Sequence, residues 1–289
     1  MDREQSILEI KKIIRYEFSK LLENIEGDFG DNYSKKNRNF ILNQLDEETV
    51  ASMVFVSSFE SKSGNAMEAC AKKIARLRYG KENVPNVINM TGHPINVSNS
   101  DDKTQIIATH VDMTNPQLQG KIDEFMKSHK AKGKSNPSTL NSREMQKLYN
   151  LGSEYITREV HTKPVDLTFF DGSTWHMMEI KAGGDLDSSN APSNIIKLLT
   201  EYTGMHSQNC RAYFATLYNK DGEGNMFKGC VKSYLSYPDC FLIGSQFWNK
   251  ILPSGITFAE FCKIYREVLV ELDLNNRIRA LIYKYGKKQ

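Results

Sequence analysis

Asp166, Glu179 and Lys181 place three charges inside apolar sequence, and their types are those that hydrolysis of a phosphodiester calls for. Twelve residues separate the aspartate from the glutamate, and only Ile180 stands between the glutamate and the lysine. Val165, Leu167, Phe169 and Phe170 flank Asp166, while Met177, Met178 and Ile180 flank Glu179. Residues two apart on a strand share a face, so Glu179 and Lys181 are expected to project together while Ile180 turns away. A turn at Asp171-Gly172-Ser173 folds the two segments into a hairpin and brings Asp166 alongside. Carboxylates that converge away from water repel one another unless a cation lies between them. Mg²⁺ is the natural cation for such hard oxygen ligands; it polarises a phosphoryl oxygen and lowers the pKa of a bound water. Asp166, Glu179 and the backbone carbonyl of Ile180 are therefore expected to hold the metal, with Lys181 orienting the attacking water or neutralising developing charge. Glu-x-Lys alone equally describes an ion pair on an exposed strand. Pro164, the hairpin-length spacer, the apolar flanks and Gly183-Gly184 favour the chemical reading.

The elements that must position these residues are read from periodicity. Ile7, Ile10, Ile14, Phe18, Leu21 and Ile25 recur at helical spacing, and Gly27 to Gly30 is expected to end that helix. Further helices are predicted at about 36–45, 47–59 and 65–79, making residues 1–80 a helical N-terminal part. Val, Ile and Thr clusters between 84 and 113 suggest short strands. Residues 127–138 are polar and basic and predict an exposed loop, followed by a helix over 141–158. A catalytic sheet is expected within 160–245, from Val165–Phe170, Trp175–Lys181, Ala212–Tyr218 and Asp239–Ile243, with a helix over 193–203. One or two closing helices are expected within 256–286. Ile278, Leu281, Ile282 and Tyr283 there are expected to pack in the core or to serve a subunit interface. The fold class is thus α/β, a mixed central β-sheet flanked by helices, within a single main domain over 1–289.

Pro164, Asp166, Glu179 and Lys181 together resemble the PD-(D/E)xK nuclease superfamily, with Val165 inserted in the usual Pro-Asp dipeptide. The run from Glu179 to Ile195, Glu-Ile-Lys-Ala-Gly-Gly-Asp-Leu-Asp-Ser-Ser-Asn-Ala-Pro-Ser-Asn-Ile, is similar to type II restriction endonucleases of the TdeIII group. Gly64 to Glu68 and the Phe247-Trp248 region extend the resemblance over most of the chain. It implies a restriction-endonuclease-like fold, Mg²⁺, and cleavage of double-stranded DNA at a short palindrome such as GGNCC. It also implies that Glu68 joins the catalytic residues from a helix packed behind the sheet. A surface i,i+4 pair of Glu68 with Lys72 is the alternative.

At 289 residues and 39% hydrophobic content the chain can bury a sizeable core, and 38 basic against 35 acidic residues give a net charge of only +3. DNA contact must therefore come from local clusters. Lys130, Lys132 and Lys134, next to Lys127, form one; Lys35 and Lys36, beside Arg38, form another. Ser189, Asn190 and Ser193 are expected either to cap a helix whose N-terminus faces a phosphate or simply to cap it. Five cysteines without a Cys-x-x-Cys pair argue against a disulfide framework or a zinc module, and with no leader-like N-terminus they suggest the cytoplasm. Gly133-Lys134-Ser135 lacks the first glycine of a phosphate-binding loop, and His110 with Asp112 finds no second metal-binding motif. A palindromic target suggests a homodimer, and restriction would require a cognate DNA methyltransferase. The competing readings are a nuclease of the same superfamily in DNA repair or RNA processing, and a non-catalytic nucleic-acid-binding module.

Overall fold

The computed structural model describes residues 2–97, 104–133, 136–183, 186–206 and 208–286. By contact density the chain divides into two units, residues 1–74 with 253–289, and residues 75–252.

The first unit is helical. Helix α1 spans Arg3–Asn37 and starts where the Asp2 side chain accepts a hydrogen bond from the Gln5 N–H. Ile10, Ile14, Phe18, Leu21, Leu22, Ile25 and Phe29 are buried along one stripe. The helix therefore does not end at Gly27–Gly30. A mid-helix glycine costs about 0.5–1 kcal/mol, whereas burying a phenylalanine is worth about 1.5–3 kcal/mol, and Phe29 is fully buried against the Tyr285 ring. Helix α2, Glu47–Tyr79, likewise runs unbroken through Gly64, where two helices were expected, and its last residues belong to the second unit. A single turn of 3₁₀ helix at Leu42–Gln44 is all that forms of the helix expected at 36–45 beyond the end of α1. Glu17, nearly buried, is paired with Lys73 at 2.6 Å.

The second unit is α/β, with mixed sheets flanked by helices. Strands β1 (Val87–Asn89), β2 (Gln105–Val111) and β3 (Ile156–Val165) form one sheet, parallel between β1 and β2 and antiparallel between β2 and β3. Helices α3 (Pro116–His129), α4 (Ser142–Met145) and α5 (Lys147–Ser153) lie between β2 and β3 in sequence. Strands β4 (Leu167–Phe170), β5 (Trp175–Lys181), β6 (Cys210–Thr216) and β7 (Phe241–Ile243) form a second sheet in that order. Helix α6, Asn190–Gly204, connects β5 to the parallel β6 and packs against β2, β5 and β6, so it lies across both sheets. Its buried Ala191, Ile195, Leu198 and Tyr202 share a core with Ile107, Met177 and Phe214. Helix α7, Ser245–Ile251, follows β7. In the first unit, α8 (Phe258–Glu271) opens on a capping box of Thr257 and Glu260, and α9 (Leu274–Gly286) follows it.

Two expectations differ. The helix predicted over 141–158 gives way to β3 at Ile156, because backbone pairing with β2, Ile107 opposite Lys163 and Ala108 opposite Thr162, builds a strand whose side chains are mostly exposed. The predicted loop over 127–138 starts later, since α3 continues to His129, whose ring packs on Phe125 and reaches the Glu144 carboxylate at 3.2 Å. No residue of α9 is fully buried; Ile278, Leu281 and Ile282 are half-buried and Tyr283 is exposed. Among the described residues, no helix is long and apolar enough to cross a membrane.

Candidate active site

The hairpin sets the geometry. Asp171 Oδ1 accepts from the N–H groups of Ser173 and Thr174, and Gly172 adopts φ +99°, which together close the turn. Antiparallel pairing then puts Leu167 opposite Met178. Continuing that register by one residue places Asp166 beside Glu179. Asp166 is the single residue between β3, which ends at Val165 in one sheet, and β4, which starts at Leu167 in the other. Gln105 stitches this crossing: its side-chain amide donates to the Thr168 carbonyl at 2.8 Å and accepts from the Thr168 N–H at 2.7 Å, as a neighbouring strand would.

Asp166 Oδ2 accepts a hydrogen bond from the Ile180 N–H at 2.8 Å, so the carboxylate is fixed to β5 between the two charged residues of that strand. Glu179 is fully buried and shares its face of β5 with Met177 and Lys181. Lys181 Nζ lies 2.7 Å from Glu179 Oε1, close enough for an ion pair but not aligned for a hydrogen bond, and its side chain keeps 29% of its exposure. A second ammonium enters from α6. Lys197 Nζ stands 2.8 Å from Asp166 Oδ1 and 2.6 Å from Glu179 Oε2, bridging the two carboxylates. One helical turn further, Glu201 is buried completely, and Oε1 lies 3.8 Å from the same ammonium.

These contacts set the charge states. Burial, and after it the neighbouring Asp166, push the Glu179 carboxyl up, while Lys181 and Lys197 pull against that shift. Burial alone would lower Lys197, yet the carboxylates of Asp166, Glu201 and Glu179 hold its ammonium charged well above the ordinary lysine range. Burial drives the Glu201 carboxyl far above its usual value, while the Lys197 ammonium pulls against that shift. Among the described residues, no three His, Cys, Asp or Glu side chains come together as a metal-binding group. The cluster is two carboxylates around one ammonium, with Lys181 toward solvent and Glu201 behind.

Over residues 7–269 the chain matches the type II restriction endonuclease HinfI family. It belongs to that family. No curated protein and no solved structure matches it significantly, and the matches do not bear out the TdeIII resemblance. The chain is therefore a type II restriction endonuclease, a site-specific deoxyribonuclease whose substrate is DNA.

The other candidate residues of this restriction endonuclease are carried by other elements. Glu68 is half-buried on α2 between the buried Ala66 and Ala69, in the first unit, whereas Asp166, Glu179 and Lys181 are in the second. Lys35 and Lys36 line a groove of about 440 Å³ in the first unit together with Asn32, Asn39, Ser58 and Lys62. Lys130 and Lys132 are exposed after α3, and the Lys130 ammonium sits 4.8 Å from the centre of the Tyr234 ring. Lys134 lies outside the described residues. At the start of α6 the capping group is Asp187, which accepts from the Ser189 hydroxyl at 2.6 Å and the Asn190 N–H at 2.7 Å, while the Ser193 hydroxyl donates to the Asn190 carbonyl.

Sequence reasoning missed Lys197 and Glu201. Their spacing of four on a helix reads as an ordinary surface pair. The one available signal was their setting, Ile195-Ile-Lys-Leu-Leu-Thr-Glu201, where both charges are embedded in apolar sequence. Tyr218 is exposed just beyond β6, and a Cβ on Gly183 would come within 2.5 Å of its hydroxyl, so the chain after Lys181 passes tightly beside it.

Proposed function

We propose that Asp166, Glu179 and Lys181 are the active site of a Mg²⁺-dependent restriction endonuclease that cuts a short palindrome as a homodimer. The observation that carries this reading is the convergence of the Asp166 and Glu179 carboxylates on one cation position, with the Lys181 ammonium beside it.

The donor set fits a magnesium ion. Mg²⁺ typically takes one or two carboxylates and keeps several waters, so two carboxylates, with the Ile180 carbonyl as a further oxygen, suffice without a dedicated acidic cage. That a cationic nitrogen lies within hydrogen-bond distance of both supports the position as one suited to positive charge. When bound, Mg²⁺ supplies Lewis-acid polarisation of the phosphoryl oxygen and a water of lowered pKa. The Ile180 N–H fixes the Asp166 carboxylate, and β5 fixes that of Glu179, so neither reorganises during the reaction. Lys181, tethered to Glu179 and open to solvent, orients the attacking water and offsets the negative charge that grows on the phosphoryl group. Water adds to phosphorus, the ester bond to the leaving sugar oxygen breaks, and that oxygen takes up a proton.

Lys35, Lys36, Lys130, Lys132 and Lys134 neutralise DNA phosphates in this reading, and the start of α6 around Ser189, Asn190 and Ser193 meets another. Glu68 assists from α2. A two-fold target matches a two-fold protein with one site per subunit. A GGNCC-like sequence rests on the TdeIII resemblance alone. Protection of host DNA requires a methyltransferase with the same target, and the cytoplasm is where such a pair acts. Sequencing the ends of fragments released from a plasmid tests the proposal: every end should derive from one short two-fold sequence. Cleavage of single-stranded RNA, or of duplex DNA at unrelated sequences, would contradict it.

A further inference from the structure

Lys197 occupies the position between Asp166 and Glu179 that the preceding reading gives to a divalent cation. An ammonium and a metal ion cannot share it. Lys197 also has somewhere to go. Glu201 stands one turn along the same helix, fully buried, and neither of its carboxyl oxygens has a hydrogen-bond partner. Buried polar groups are nearly always satisfied, so an orphaned carboxyl beside a functional cluster calls for an explanation. The neighbouring hydroxyls do not serve it, since Thr200 donates to the Ile196 carbonyl and Thr203 to that of Leu199. Lys197 Nζ is already 3.8 Å from Glu201 Oε1, and rotation within the flexible lysine side chain closes that gap without moving the helix.

We propose that Lys197 is a resident counter-cation: it holds Asp166 and Glu179 together in the metal-free enzyme and crosses to Glu201 when a divalent cation takes its place. Lys197 thereby keeps two like charges in the reactive arrangement before the reaction, and Glu201 keeps the displaced ammonium from being stranded beside the metal. Both are positioning residues. The inference rests on the reading of Asp166 and Glu179 as metal ligands.

Calcium titration of the full-length, DNA-free protein by calorimetry tests it, with circular dichroism to establish that each variant is folded. Lys197→Met removes the competitor, and if the ammonium-free arrangement is about a tenth of the population, Ca²⁺ should bind about tenfold more tightly. Glu201→Gln removes the carboxyl group that receives Lys197, so Ca²⁺ should bind more weakly than to wild type. Asp166→Asn should abolish binding in either case. Lys197→Met with wild-type or weaker affinity, while Asp166→Asn abolishes binding, would overturn the counter-cation and leave the metal site standing. Should Lys197→Met not fold, an unchanged affinity in Glu201→Gln overturns it instead. Binding that survives Asp166→Asn, or that is absent from wild type and Lys197→Met alike, would overturn both.

Discussion

The Asp166 carboxylate is bound to the backbone of the strand that carries Glu179: its Oδ2 accepts from the Ile180 N–H at 2.8 Å. One side chain thus performs two tasks that mutation can separate. Asp166→Asn keeps an oxygen for the Ile180 N–H but loses the charge that faces Lys197, so DNA cleavage should disappear while stability falls less than in Asp166→Ala. Asp166→Ala leaves that N–H without its partner and should cost about 1–3 kcal/mol of stability as well. Denaturant unfolding beside a cleavage assay reads both effects.

Lys181 keeps part of its side chain in solvent, whereas Glu179, its partner, has none. Lys181→Ala should slow single-turnover cleavage by about 10²–10³-fold, the usual loss when one group stabilising transition-state charge is removed. DNA binding measured in Ca²⁺ should be retained. A variant that failed to bind DNA but cleaved normally at saturating enzyme would assign Lys181 to binding instead.

Glu201 sets a pH dependence whose sign follows from its raised pKa. Below the ordinary glutamate value of 4.5 its carboxyl is protonated in both folded and unfolded chains. As pH rises past that value the unfolded chain ionises while the folded one stays neutral, so this group's contribution to stability is lost until the folded carboxyl also ionises. The slope is about 1.4 kcal/mol per pH unit for one proton. Glu201→Gln has no proton to lose, so metal-free Glu201→Gln should exceed wild type in melting temperature at pH 8 and lose that advantage near pH 4.

How much of this was legible in the sequence follows from which signal each element carries. The hairpin of β4 and β5 was readable because Asp171-Gly172-Ser173 is a turn with a mechanism and the flanking residues are apolar. Glu179 and Lys181 fell on one face by the alternation of a strand alone. β3 was not readable, because its exposed residues, Arg158 and Glu159 among them, form no apolar stripe and its structure comes from pairing with β2. The split into two sheets at Asp166 depends on Gln105, a residue 61 positions earlier, and no local pattern announces such a bond. Lys197 came from α6, whose approach to β5 is a matter of tertiary packing. The charge between the carboxylates was therefore expected to be a metal alone, where the chain also supplies one of its own.

The packing that brings α6 to the sheets can be tested at Gly152. A Cβ there would lie 2.8 Å from the Thr203 methyl and 3.0 Å from the Thr203 carbonyl oxygen on α6. The backbone cannot yield as a flexible side chain would. Gly152→Ala should therefore destabilise the protein by about 1–3 kcal/mol, despite alanine's better helix propensity. An unchanged unfolding midpoint would mean that α5 and α6 pack more loosely than these distances imply.

The basic clusters make a separable prediction. If two lysines each meet a phosphate, replacing both by glutamine should lower the slope of log affinity against log salt by about two units. Lys130 with Lys132, and Lys35 with Lys36, can be compared in Ca²⁺, where binding is read without cleavage. A pair whose removal leaves the slope unchanged does not face DNA.

Incubation of purified protein with plasmid DNA, in Mg²⁺ or EDTA and beside Lys181→Ala, tests most directly whether Asp166, Glu179 and Lys181 do the cutting. Discrete fragments that require Mg²⁺ and are lost in the mutant are the predicted result. Fragments that persist in EDTA, or that Lys181→Ala produces at the wild-type rate, would place the chemistry elsewhere in the chain.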